Sequence, residues 1–421
     1  MPPTHPAVAQ ASIDSPVMRG AGRELLSLAL MDARNHTLRL LSLHEQAPDA
    51  AAGAARAVAD PDDGVDPPLW LAGHIAWFAE YWITRNTKRR LGPDCPPEPT
   101  RLASALPAAD GWWNPQQTAP AERWSARLPD AAVTRDYMLE SLEGVLELLE
   151  LAADEDAALY FFRLALFHED LRGEQLVTMA QTLGLALPIE MPAGRVVREP
   201  LGVPATRWLL GSPSGGFAFD NEREAHEVPV PEFEIDAQPV TWAQYVEFVD
   251  DGGYDRPELW RPEGWDWLQA LAQSEGRRGP RYVDQIGVAS GAVLQTRFGS
   301  TVRMAGNQPA MHLSWWEADA WCRWAGRRLP TEVEWEVAAL TAAGRGFRWG
   351  DVHEWTAGTL RPWPGFRPGP WESYSQPWFG RARVLRGASF ATRARMKHAK
   401  FRGFALPVRD DLFSGFRSCA V

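Results

Sequence analysis

Cysteine is scarce in this chain of 421 residues: there are three, Cys95, Cys322 and Cys419, and they lie far apart. Neither a disulfide framework nor a CxxC zinc or redox pair can be drawn from them. Long apolar runs are missing too, since nothing approaches the roughly 18 consecutive apolar residues of a membrane span. The opening residues, MPPTHPAVAQASIDSP, have neither the basic start nor the apolar core of a signal peptide. The expectation is a soluble, unprocessed, cytoplasmic protein. Positive charge is also in deficit, with a formal net charge of -11. Phosphate binding needs a basic face, and none is evident, so nucleic acid and anionic membrane are excluded as partners.

What the chain has in excess is tryptophan, 21 residues of it, dense after residue 200 and around two helical segments of the first half. At roughly 150 residues per domain, the length implies two or three domains. Residues 1–21 read as a flexible tail. Residues 22–186 carry four helical patterns: 22–46 with Leu26, Leu30, Leu38 and Leu41 near helical spacing; a second from Asp66 as N-cap to about Arg90; 132–151 with Met138, Leu142, Val145, Leu146 and Leu149 on one face; and 157–185, ending near Gly184. Together they predict an antiparallel four-helix bundle, whose interior suits sites built from facing side chains. Residues 187–205 contain several prolines and read as a linker. From 206 to 421 the pattern is short and broken by Gly, Pro and Trp, as in a loop-rich α+β domain. Two helices stand out there, near Thr241–Val249 and Ser314–Trp324.

Two histidines sit on separate bundle helices, His74 in PPLWLAGHIAWFAEYW and His168 in YFFRLALFHEDLRGEQL. Either alone reads as a buried core histidine, and together they look like two thirds of a metal site. One turn after His168, where a third imidazole would share its helical face, the chain has Arg172. A guanidinium stays protonated and has no lone pair to offer a metal.

Longer strings then carry a resemblance. FAFDNEREAHEV, PVTWAQYVEFV, HLSWWEADAWCRWAGRRLPTEVEWEVAA, HEWT, VLRGASFATR and the terminal FSGFR are similar to the formylglycine-generating-enzyme (sulfatase-modifying-factor) fold, a C-type-lectin-like domain. Joined to a DinB-like four-helix bundle bearing His74 and HEDxxxE, the chain from about residue 22 to 421 resembles the EgtB-type nonheme iron enzymes. These are the ergothioneine and ovothiol sulfoxide synthases and their selenium relative, selenoneine synthase, the branch it resembles most. Formylglycine generation itself is not implied, because that chemistry needs a C-terminal cysteine pair binding copper and only Cys419 is near.

The resemblance implies Fe(II) held by one histidine of the second helix and two of the fourth, positions that fall on His74, His168 and Arg172. Three readings of the gap stay open. Another group completes the site: Glu174, which points roughly 240° around the helix from His168, or His36 or His44 of the first helix. Alternatively two histidines and water hold the iron, or metal and catalysis are lost.

The resemblance also implies substrates. In the relatives that use γ-glutamylcysteine, the segment matching FRGFALP carries an acid that recognises the donor's amino group. Here it reads Arg402, Gly403, Phe404, Ala405, and 102–122 holds no Arg or Lys for a donor carboxylate. Both losses favour a donor that is not an amino acid, such as a selenosugar. The acceptor is hercynine, a trimethylated histidine whose quaternary ammonium suits an aromatic cage. Trp77, Phe78, Trp371, Phe404 and Phe413 are the candidates, with Asp410 and Asp411 to balance its charge. Arg402 joins Trp371, Phe404 and Phe413 as an expected substrate-binding residue. Tyr374 is the candidate proton or electron donor, while Arg386 and Arg417 read as structural. The expected activity is Fe(II)- and O2-dependent joining of selenium to the imidazole C2 of hercynine. The alternatives are a sulfoxide synthase using a thiol, and an inactive, metal-free small-molecule-binding paralogue.

Overall fold

Periodicity in the first half becomes helix. The computed structural model describes residues 12–46, 66–124, 127–287 and 292–421. In α1 (Arg23–Glu45), Leu26, Leu30, Ala33, Thr37 and Leu41 are buried at three- and four-residue steps, the stripe by which a helix packs on its neighbours. Helix α2 (Pro68–Ala79) is entered through Pro67 and Pro68, where a missing amide proton costs nothing. Asp66 does not cap it as expected. Its carboxylate instead takes a 2.6 Å bond from Arg123. Nor does α2 run unbroken to Arg90: it widens into a π-helical turn at Glu80–Thr84, and a separate 3-10 segment follows at Arg89–Asp94. The widening begins at a buried carboxylate, Glu80, which accepts bonds of 2.7 Å from Tyr137 Oη, Ser104 Oγ and the Ala105 amide.

Helix α3 (Ala131–Glu150) starts at Asp130, whose side chain accepts the Val133 amide proton at 2.9 Å. Helix α4 (Asp156–Leu183) stops at Gly184, which takes φ 66°, a left-handed cap that glycine adopts without Cβ strain. The four helices share one core, and Arg34 of α1 stitches it: its guanidinium makes a bidentate pair with Glu169 of α4 (2.9 and 3.1 Å) and reaches the Met138 carbonyl of α3.

The first residues described are docked, correcting the expectation of a flexible tail through residue 21. Pro16–Gly20 form a 3-10 turn with Met18 buried, and Arg19 pairs with the buried Glu222; residues 1–11 lie outside the described residues.

In the second half, 187–200 contains no regular element, but β1 (Leu201–Val203), which falls within the expected linker, pairs with β4 (Phe233–Ile235). Strands β2 (Thr206–Leu210) and β3 (His226–Val230) form a hairpin. Strands β5 (Val283–Gly287), β6 (Ala292–Arg297) and β7 (Ser300–Met304) form a meander. The central sheet has the order β10 (Gly403–Ala405), β9 (Arg383–Gly387), β8 (His353–Thr359), β11 (Ser414–Phe416), with β11 parallel to β8. Helices α5 (Trp242–Asp250) and α7 (Trp315–Trp324) start at capping boxes on Thr241 and Ser314. Two more helices, α6 (Pro262–Ser274) and α8 (Glu332–Thr341), were not expected.

Tryptophan fills this half, and three of its most deeply buried indoles are satisfied: Trp315 donates to the Thr356 carbonyl (2.8 Å), Trp355 to that of Leu313 (2.7 Å) and Trp335 to Glu354 (2.7 Å), whereas the indole N–H groups of Trp242 and Trp316 find no partner among the described residues. Arg386 and Arg417 are structural, as read. They pair in the core with Glu336 and Glu354 and donate to the carbonyls of Ala399 and Asp236.

Buried polar contacts lock the halves together. Arg395 is bidentate to Asp170 of α4 (2.7 and 2.8 Å) and reaches Asp32 of α1 at 2.8 Å. One turn of α4 further on, Glu174 accepts from His353 of β8 and from Thr392, both at 2.8 Å, and from Ser389.

Candidate functional site

Along α2, Trp70, His74, Trp77 or Phe78 and Tyr81 recur at helical spacing and share a face. Along α4, His168, Arg172 and Gln175 do the same. The two faces meet the β10 strand and the loop around Trp371–Tyr374 over a cavity of about 670 Å³. The cavity lies between the helical half and the sheet-bearing half, a usual place for a ligand site.

His74 and His168 come together at its wall. Their ring centroids are 5.2 Å apart, edge to face. His74 is sandwiched near Trp70 (4.8 Å) and Trp77 (5.6 Å), and its Nδ1 donates to the Trp113 carbonyl at 2.9 Å. That bond assigns the tautomer and leaves the lone pair on Nε2. His168 stacks on Phe78 at 3.7 Å and meets the edge of Trp371 at 5.2 Å. Burial, then the Arg172 charge, holds both imidazoles well below their ordinary pKa, so both are neutral.

Arg172 closes the question of a third imidazole. Its Nε–H donates to His168 Nε2 at 3.2 Å and its Nη1 to Gln175 at 2.8 Å. The lone pair that a metal would take on His168 is therefore engaged by a cation. None of the three other groups considered completes the site. Glu174 is held by His353, Ser389 and Thr392; His44 Nε2 bonds the Leu176 carbonyl; His36 does not line the cavity. Among the described residues no group of three His, Cys, Asp or Glu side chains could hold a metal. The donor set present does not fit a three-ligand iron centre.

The remaining expected site residues divide. Trp371, Tyr374, Phe404 and Phe413 line the cavity. Trp371 and Tyr374 are in contact (4.9 Å), and Tyr374 stacks on Phe219 (4.6 Å) and touches Phe404 (5.4 Å). Burial, reinforced by the carboxylates of Glu222 and Asp220, drives the Tyr374 phenol well above its usual pKa, so it stays protonated. Phe413 is almost wholly buried among Phe298, His312 and Phe390.

Arg402 is a correction: it is buried, bidentate to Glu332 (2.7 and 2.8 Å), over the face of Trp363, and does not line the cavity. A guanidinium so occupied cannot receive a substrate. Asp410 and Asp411 are corrected too, since Asp410 is clasped by Arg277 and Arg281 and Asp411 by Arg409. Neither is free to balance a quaternary ammonium.

Trp70, Tyr81, Gln175 and His353 were not anticipated. Trp70 and Tyr81 carried a signal, being one and two turns from His74 on one face. His353 carried none, because its partner Glu174 lies 179 positions away. Burial alone would raise the Glu174 carboxyl, but His353, Ser389 and Thr392 outweigh it and hold the pKa below the ordinary value.

Comparison with known proteins fits this architecture. Residues 196–351 match the sulfatase-modifying factor enzyme 1-like domain. Over 453 aligned residues the chain is 32% identical to the hercynine oxygenase of Mycolicibacterium smegmatis, covering 94% of this chain and 98% of that protein. The hercynine oxygenase of Mycobacterium tuberculosis is also 32% identical, with the same coverage over 448 residues. The formylglycine-generating enzyme of Streptomyces coelicolor is 33% identical over 172 residues, covering 37% of this chain and 52% of that one. A mixed helix and sheet architecture with a sulfatase-modifying-factor-like second half thus describes the class. The chain belongs to the hercynine oxygenase family.

Proposed function

We propose that the interdomain cavity binds hercynine and that the chain joins a chalcogen, with a selenosugar as donor, to C2 of its imidazole. In the balanced overall reaction the C2–H of the acceptor, the Se–H of the donor and O2 give a carbon–selenium bond, the selenoxide and one water. Homology over nearly the whole chain to enzymes named for hercynine supports the acceptor. The cavity suits its two ends: the rings of Trp70, Trp77, Phe78, Tyr81 and Trp371 line it with aromatic surface for the trimethylammonium, and Tyr374 keeps a phenolic proton at the same wall.

One observation carries the choice of donor. The recessed carboxylates that line the cavity are already engaged: Asp66 by Arg123, Glu174 by His353, Asp411 by Arg409. The β10 segment adds only Gly403, Phe404 and Ala405 to the lining. Glu98 and Glu372 also line it but stand exposed to solvent, so a donor ammonium finds no recessed carboxylate free and loses a charge-assisted bond worth about 1.5–3 kcal/mol, whereas sugar hydroxyls need none. The resemblance implies iron for the oxygen chemistry, whereas the residues present do not fit a three-histidine centre.

The bond between Arg172 and His168 favours a second reading, a metal-free hercynine-binding protein. One set of measurements separates the two. Purified protein loaded anaerobically with Fe(II) is assayed for bound iron and for O2 uptake, then given hercynine with a selenosugar, cysteine or γ-glutamylcysteine, and products are resolved by mass. Product from the selenosugar supports the synthase. Product from the amino-acid thiols alone overturns the selenium assignment. Hercynine binding with neither iron nor O2 uptake selects the second reading.

A further inference from the structure

The guanidinium of Arg172 has a third nitrogen. Nε is committed to His168 and Nη1 to Gln175, but Nη2 has no hydrogen-bond partner among the described residues, and the side chain lines the cavity. No carboxylate among the described residues makes an ion pair with it. Asp66, whose charge it feels, is taken by Arg123. A guanidinium recessed in an aromatic wall, with an open donor and no side-chain carboxylate of the described residues paired to it, suits an anion, which would offset the desolvation of its charge.

From this we infer that Arg172 is a carboxylate-binding residue and that an anion on the ligand occupies the side of the cavity that faces Nη2. His168 and Gln175 fix the plane of the fork, so it presents its donor without rotamer search. The ligand class is a betaine, which carries a quaternary ammonium and a carboxylate on one carbon. With the carboxylate on Arg172, the ammonium falls beside Phe78 and Trp371, the rings that flank His168. The inference rests on the hercynine reading for the identity of the betaine, not for the anion site. It assigns the position of the absent third imidazole to substrate recognition: a fixed cation stands where the resemblance places a metal.

Titration calorimetry of the full chain tests this with three probes: hercynine, its decarboxylated counterpart (the trimethylammonium of histamine) and trimethylglycine. Wild-type protein is expected to prefer hercynine over the decarboxylated probe by at least about tenfold, the low end for a charge-assisted bond. In Arg172→Gln the preference falls to near unity while the decarboxylated probe binds as before, and Arg172→Lys retains part of it. A preference that survives Arg172→Gln, in a variant whose far-UV spectrum shows it folded, overturns the assignment. If hercynine fails but trimethylglycine binds and depends on Arg172, the hercynine reading falls and the anion site stands. If no probe binds, both fall. Co(II) gives a readout independent of ligand: wild-type protein is expected to show no ligand-field absorption, and Arg172→His to gain it. A wild-type Co(II) spectrum with coordinated imidazole overturns the proposal, because metal and guanidinium cannot share His168 Nε2.

Discussion

Arg172 donates to His168 Nε2 from one helical turn further along α4, at 3.2 Å. A cation and a neutral imidazole thus share a face that points into the cavity. The arrangement costs stability, because a guanidinium without an ion-pair partner is desolvated there. Arg172→Met removes that charge and keeps an unbranched side chain. It is expected to raise the thermal midpoint, with a gain of about 1–2 kcal/mol after the lost hydrogen bond is subtracted, as is common where a site is kept at the expense of stability. Calorimetric melting of both proteins checks this, and a fall in the midpoint implies that an anion already neutralises Arg172.

Arg402 behaves in the opposite way. It is 1% exposed, bidentate to Glu332, and its Nη1 donates to the carbonyls of Asn221 and Arg361. Arg402→Leu leaves the half-buried Glu332 with only the Trp363 indole as partner, a loss of about 3 kcal/mol, the low end for breaking a buried pair, readable in chemical denaturation. Ligand affinity per folded molecule is expected to stay unchanged. A stable variant with weakened ligand binding restores the substrate-binding role instead.

Those two arginines mark what the sequence could and could not convey. The helix faces of α1, α3 and α4 and the caps at Thr241 and Ser314 are local patterns, so they were readable, and so was the pairing of His74 with His168 once the resemblance placed them. The engagement of Arg402 was not, because Glu332 lies 70 positions earlier and nothing near either residue announces the other. The same holds for His353 and Glu174. The π-helical turn after Ala79 depends on a carboxylate that meets donors from two other segments, and α2 was therefore read as too long. Helix α8 was a different kind of miss, since Thr331 with Glu334 forms a capping box whose spacing is local.

Glu174 joins the two halves, so its replacement probes docking. Glu174→Gln keeps the volume but loses the charge-assisted bonds from His353, Ser389 and Thr392. The expected cost is about 2–3 kcal/mol. A double-mutant cycle with Thr392→Val should show a coupling of at least about 0.5 kcal/mol. Additive losses rule out a direct contact.

Acid is expected to unfold the protein from pH 6.5 downward. Burial, aided by neighbouring arginines, pushes His36 down to about 4 and His312 and His398 to about 3. Burial likewise lowers His44, His74 and His168. These groups are neutral when folded and take up protons on unfolding below 6.5, so their contribution is present above that pH and is lost as pH falls. Asp170 and Asp220 oppose them: burial raises both to about 6, so each releases a proton on unfolding between its unfolded value and 6. Glu317 is raised by burial as well; six histidines outnumber three carboxyls, and each net proton is worth about 1.4 kcal/mol per pH unit. The midpoint of urea unfolding should drop between pH 6.5 and 4.5; a flat profile means that these imidazoles are not buried as neutral groups.

Gly73 precedes His74 and is covered by Trp113, the residue whose carbonyl orients that imidazole. A Cβ at position 73 runs into the Trp113 indole, closer than packing allows, and Trp113 is fully buried against Tyr137 at 5.0 Å, so it has little room to withdraw. Gly73→Ala is therefore expected to cost about 1–3 kcal/mol by overpacking, although alanine favours the helix. It should also displace the Trp113 carbonyl and free His74 Nδ1, loosening the tautomer. Nitrogen-15 shifts of the His74 ring report this directly: a single neutral tautomer in wild type, and exchange between the two in the variant. Unchanged shifts in a destabilised variant separate the packing role of Trp113 from its orienting one.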